Sequence, residues 1–224
     1  MAEMVSGYKG NFEKWIAFLK SWMELRDFSV QMKEGFDHIL FKKSFSIKAP
    51  PSYIDFFCAM SALNWPGLIC VEADEDAVCE FFNPEDVNLY VMADKYYAQY
   101  ISESKEVVPF EISKSDYGIY SKDQGGVHVP SSCFAASYLV GGISNAIHRV
   151  RILINPLVRF DAGVEWEAII SDVYCPYDVR FKSFADLVVW FYLNDPVSGV
   201  DLPGDEIYFD HNDDSSGLSK ILFS

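Results

Sequence analysis

Four histidines, five cysteines and 33 acidic residues are the side chains of this 224-residue chain best able to attack, relay a proton or hold a metal. Their spacing argues against each of these chemistries in turn. His38, His128, His148 and His211 have no second histidine at i+3 or i+4 and no H-E-x-x-H context, so no zinc-binding helix is expected. Cys58, Cys70, Cys79, Cys133 and Cys175 are odd in number, widely spaced and never form a C-x-x-C pair. That pattern suits reduced, buried thiols better than a disulfide framework or a zinc ribbon. Cys133 and His128 fall in an expected loop, a poor setting for a nucleophile–base dyad. There is no G-x-S-x-G elbow, phosphate loop or G-x-G-x-x-G turn, and Gly125-Gly126 and Gly141-Gly142 read as turns. Glu72-Ala73-Asp74-Glu75-Asp76 begins like a calcium loop, but Ala77 stands where such a loop needs glycine. Neither a metal nor a cofactor is expected, and the chain reads as non-enzymatic.

The acids matter instead as a field. The formal net charge is −15, which disfavours direct binding to nucleic acid or to an anionic membrane surface. The imbalance is also localised. Residues 49–94 hold nine acids and residues 183–219 hold eight, and neither window contains a lysine or arginine. Such windows can serve solubility alone; they can also capture a basic partner at a high association rate. Read in the second way, the candidate contact residues are Glu72, Asp74, Glu75, Asp76 and Glu80 in the first window. Asp201, Asp205, Glu206, Tyr208, Asp210, Asp213 and Asp214 form the second, with Tyr208 as an aromatic anchor.

Half of the chain is apolar and 16% is aromatic, enough for a packed core. Trp15, Phe18, Leu19 and Trp22 repeat at i, i+3, i+4 and i+7, predicting a helix from about Asn11. Tyr53, Phe56, Phe57 and Met60 repeat the pattern after Pro50-Pro51, with Ser52 and Asp55 spaced as a capping box and Trp65-Pro66-Gly67 as the stop. Short strands are expected at 68–71 and 78–82, then a helix opened by Asn83, Pro84 and Asp86 and running through Val87, Tyr90, Val91, Tyr97 and Ile101. Further strands are expected at 107–112, 117–120, 151–154 and 165–170, the last two joined antiparallel by a loop over 155–164. The apolar stretch 132–143 has no clean period. Ser183 and Asp186 form another capping box, before Phe184, Leu187, Val188 and Phe191; Asn194-Asp195-Pro196 ends that helix. Residues 197–224 read as an ordered, irregular acidic tail. With no repeat or linker, residues 1–224 are expected to form a single α+β domain: a mainly antiparallel sheet flanked by N-terminal helices and a late capped helix. No secretory signal is visible at the start, and no apolar run is long enough to span a bilayer, so the expected location is the cytoplasm.

Three segments, in order, resemble the SUKH superfamily, which includes bacterial immunity proteins and the yeast Smi/Knr cell-wall regulators. Pro50-Pro51-Ser52-Tyr53-Ile54-Asp55-Phe56-Phe57 is similar to that family's helix start. Leu153-Ile154-Asn155-Pro156, followed by Gly163-Val164-Glu165-Trp166-Glu167-Ala168, resembles its L-L-N-P strand and G-E-W-E-A segment, with Val164 inserted. Arg180-Phe181-Lys182-Ser183-Phe184-Ala185-Asp186-Leu187 resembles its R-[YF]-x-S-F-x-x-L helix opening. The likeness covers about residues 45–195, leaving a helical part at 1–44 and the tail from 196. It implies a non-catalytic α+β protein that binds and neutralises a cognate bacterial toxin, often a nuclease or another secreted effector. A regulator or scaffold of the Smi/Knr type, binding a cellular protein, is the alternative it implies.

Overall fold

The computed structural model describes residues 7–25, 29–44, 49–65, 68–70, 78–82, 87–89, 137–144, 149–172, 178–193 and 217–224. Within them the chain is α+β. Helices α1 (Phe12–Leu25), α2 (His38–Ser44) and α3 (Pro51–Ala62) precede most of the sheet, and α4 (Phe184–Leu193) follows it. The strands are β1 (Leu68–Cys70), β2 (Val78–Phe81), β3 (Asn88–Leu89), β4 (Tyr138–Ser144), β5 (Arg149–Phe160), β6 (Glu165–Asp172) and β7 (Asp178–Phe181). They form one antiparallel sheet in the order β1-β2-β4-β5-β6-β7, with β3 also paired to β4.

The helical stripes are where the periodicity puts them. Trp15, Phe18, Leu19 and Trp22 are buried on α1, whose first turn is capped by Asn11: its Oδ1 accepts the Lys14 N–H at 2.9 Å. Asp37 caps α2 in the same way, accepting the N–H groups of Ile39 and Leu40 at 3.0 Å. On α4 the serine half of the expected capping box is present: the Asp186 N–H donates to Ser183 Oγ at 3.1 Å, and the Ser183 hydroxyl itself donates to Asp186 Oδ2 at 2.5 Å. That helix is apolar nearly all round, with every residue from Phe184 to Phe191 buried, because it packs on β6 and β7 of the sheet and on α3 as well.

Phe56 is the hub of the core. Its ring meets Trp15, Phe57, Trp65, Phe81 and Phe184 at centroid distances of 5.1–5.9 Å, mostly edge to face. Ile152, Ile154, Ala168, Ile170, Val179 and Phe181 supply the floor beneath the helices. Leu153 and Ile169 are partners in register on the opposite face and are fully buried too.

Several sequence expectations change. Ser52 and Asp55 do not form a capping box. Pro51 takes the first helical position, so Pro50 becomes the N-cap and Ser52 is carried one turn-position inward, with no side-chain cap of its own helix. Asn88 and Leu89, expected in a helix, pair instead as β3 with Leu139 and Tyr138. Gly141 and Gly142 are not a turn. They lie inside β4, opposite Phe81 and Glu80, and their missing side chains are what hid the strand's alternation. The 155–164 segment is not simply a loop: β5 runs on to Phe160 through a bulge between Asn155 and Arg159. Only Asp161–Gly163 turns, with three consecutive positive φ values of 51°, 55° and 91°. The two non-glycine residues there each hold a conformation costing on the order of 1 kcal/mol. The last eight residues keep the order expected of the tail: Leu218 and Leu222 are buried against α1 and the Lys9 N–H donates to Leu222 O at 2.9 Å. The start at 83–86 and the continuation over 90–101 of the helix expected from Asn83 to Ile101, the strands at 107–112 and 117–120, and the Asn194–Pro196 stop lie outside the described residues.

Phe56→Ala is expected to lower unfolding stability by about 3–5 kcal/mol, since it empties the centre of the cluster. Ser183→Ala should cost about 1 kcal/mol through the lost cap. Urea denaturation of both variants checks the order, and a Phe56 effect no larger than the Ser183 effect would remove Phe56 from the hub.

Candidate functional site

Of the twelve acidic-face candidates, only Glu80 falls among the described residues. It sits on β2, opposite Leu68 on one side and Gly142 on the other. Glu72, Asp74, Glu75, Asp76, Asp201, Asp205, Glu206, Tyr208, Asp210, Asp213 and Asp214 lie outside them. Two further acids of the same windows are placed, and both face inward. Asp186 accepts the hydroxyl of Ser183, the cap of α4, while Asp55 accepts the Tyr8 hydroxyl at 3.1 Å and forms an ion pair with Lys42. Tyr8 in turn accepts the Trp15 Nε1–H at 2.9 Å, which ties the segment before α1 to α3.

What the structure does bring together are the residues of the sequence motifs. Glu167, fully buried on β6, accepts the Asn155 Nδ2–H at 2.8 Å and pairs with the Arg180 guanidinium across to β7. Asn155 Oδ1 accepts the Leu157 N–H at 3.1 Å and so shapes the bulge. Alternation places Asn155, Glu167 and Arg180 on the sheet face away from the helices. Two residues earlier on β6, Glu165 supplies the cap that α3 lacks. Its Oε1 accepts the Ser52 N–H at 3.0 Å and its Oε2 takes the Ser52 hydroxyl at 2.6 Å. Arg159 closes the corner, donating to Pro156 O at 2.7 Å and lying 5.8 Å from the Trp166 ring centre.

These arrangements hold structure more readily than they do chemistry. Burial pushes the Cys58 thiol up to about 12, Lys42 opposing and Asp55 adding, so it stays protonated and is a weak nucleophile. Burial likewise raises the Tyr8 and Tyr53 phenols. Glu165 is pushed up to about 8, chiefly by burial; the Ser52 hydrogen bonds oppose this, and Asp186 and Asp161 add to it. Among the described residues, no group of three or more His, Cys, Asp and Glu side chains is placed to hold a metal ion. No helix among them is long and apolar enough to cross a membrane.

The inward roles of Glu165, Tyr8 and Lys42 were missed by reading the sequence. One signal was available for the first: Pro51 favours the first helical position, which moves Ser52 past the cap and calls for an acceptor from elsewhere. The fold defines the class of the molecule, an α+β protein with a helical layer on one face of an antiparallel sheet. Comparison with family models, curated proteins and solved structures finds no match for the chain.

Arg180→Met should cost about 3–5 kcal/mol, because it strands the Glu167 charge in the interior. Pairing it with Glu167→Leu should return much of that loss. Denaturant midpoints of the two single variants and the double variant test this, and strictly additive losses would mean that the two groups are not coupled.

Proposed function

We propose that this chain is a non-catalytic, cytoplasmic binding protein of the SUKH type, which docks onto a toxin through its acidic surface and neutralises it. The observation that carries this reading is the pair of windows, 49–94 and 183–219, that contain acids but no lysine or arginine. Among the described residues of these windows, Asp55 and Asp186 are buried in structural roles and so are not counted among the proposed contacts. A face of this kind complements a toxin that uses lysine and arginine, as a nuclease does to hold phosphates. The proposed contacts are Glu72, Asp74, Glu75, Asp76 and Glu80, with Asp201, Asp205, Glu206, Tyr208, Asp210, Asp213 and Asp214. Support also comes from the motif residues: Asn155, Glu165, Glu167, Arg180 and Ser183 are all buried in hydrogen-bonded structural roles.

Reversal of Asp74, Glu75 and Asp76 to lysine is expected to weaken the complex with the product of the neighbouring gene tenfold or more, mainly through slower association. Binding kinetics at low and high salt measure it. A salt-sensitive complex that silences a toxic activity supports immunity. Absence of any complex with that product would instead favour a regulator that binds a cellular protein, and unchanged affinity on reversal would take the loop out of the face.

A further inference from the structure

Helix α2 turns two aliphatic side chains outward. Ile39 and Leu40 are 58% and 66% exposed, the one adjacent pair among the exposed large hydrophobics of the described residues. Contacts fix the inner side of the helix. His38 stacks on Phe12 at 4.3 Å, Phe41 tilts against Phe36 at 5.5 Å, and Lys42 pairs with Asp55. With 3.6 residues per turn, the arc left facing outward runs through Ile39, Lys43, Leu40 and the capping Asp37. Asp37 and Lys43 are both exposed. They bracket Leu40 at three residues on either side, so the face reads acid, leucine, base along about 9 Å of helix.

That order is complementary to itself when reversed. Laid antiparallel on a copy of itself, about a two-fold axis at Leu40, the face sets leucine on leucine and each acid against a base. An anionic lipid surface would call for bases alone, and a basic protein for acids alone. The position in the chain favours a copy as well. Residues 1–48 carry eight basic and six acidic side chains, a local charge of +2 in a chain of −15, so two molecules meet there against the least repulsion. We propose that α2 is a self-association face, through which two copies of this chain pair antiparallel, Asp37 of each subunit lying beside Lys43 of the partner subunit. The face lies outside both acid-only windows, 49–94 and 183–219, so the inference does not rest on the toxin-binding reading. One short helix from each subunit makes a contact smaller than the about 1,200 Å² that stable interfaces bury, so the dimer is weak and reversible.

Sedimentation equilibrium of the full chain tests the dimer. Between about 10 and 500 μM the average mass should climb from 25.5 kDa toward twice that value. Leu40→Ser, made at an exposed site, should raise the dissociation constant tenfold or more without shifting the thermal midpoint. Asp37→Asn keeps a capping side chain but removes its charge, and should raise the constant about threefold. Leu40→Cys reads the geometry, because a residue on the axis meets its own copy. Mild oxidation should link that variant into a disulfide dimer, whereas Glu13→Cys, exposed on α1, should stay unlinked. A monomer at every concentration, association unmoved by Leu40→Ser or by Asp37→Asn, or failure of Leu40→Cys to link would each overturn the proposal. So would a chain that stays monomeric while Leu40→Ser weakens binding to the neighbouring gene's product, which would assign the face to that partner.

Discussion

The Glu167–Arg180 pair commits β6 and β7 to one register, and much of the fold follows from that choice. A slip of one residue would turn Arg180 toward the aromatic layer and leave Glu167 buried without its cation, a loss of several kcal/mol. Asn155 binds the same carboxylate from β5, so three adjacent strands are keyed to a single buried group. With the register set, Phe181 faces the helices, and the chain leaving β7 reaches Ser183 just where α4 must start. The placement of α4 over the sheet is thus downstream of a polar contact on the sheet's opposite face.

The helical layer depends on β6 a second time. α3 begins at consecutive prolines, which suit the entry geometry of a helix but supply no side-chain acceptor. Glu165 provides one from across the sheet, and Tyr8 and Lys42 fasten the same end through Asp55. Held there, α3 presents Phe56 to rings from α1, β2 and α4 together. The aromatic cluster supplies bulk stabilisation, while the carboxylates at its margins decide which helix sits where. Apolar surfaces tolerate many arrangements; buried charges tolerate few.

What was legible in the sequence divides along the same line. α1, α3 and α4 were readable because their apolar residues recur with the helical period, and the α4 cap because Ser183 and Asp186 are neighbours in the chain. The cap of α3 was not, since Ser52 and Glu165 are 113 residues apart. Nothing local marks Asn155, Glu167 and Arg180 as one network, as each belongs to a different strand. β4 was obscured by Gly141 and Gly142, which interrupt a period of two without interrupting the strand. β3 was misread because a helix start is read from local residues, whereas the pairing of Asn88 and Leu89 with Leu139 and Tyr138 spans about fifty residues of chain. For the proposed acidic contacts, composition alone located the charge, and Glu80, on β2, is the one that falls among the described residues.

The interior pairs sharpen where that charge must reside. Arg180 offsets Glu167 and Lys42 offsets Asp55, so these contacts leave the formal net charge of −15 unchanged. Among the described residues of the two acidic windows, Asp55 and Asp186 are the acids drawn into the core. Clustering like charges opposes folding through self-repulsion, and a dense aromatic core lets a chain carry that cost. A field of one sign extends about 8 Å at physiological ionic strength, far enough to orient an approaching basic surface before contact. In the proposed function core and charge have separate tasks: the buried carboxylates fix the architecture, and the acids of the two windows are the ones offered to a partner.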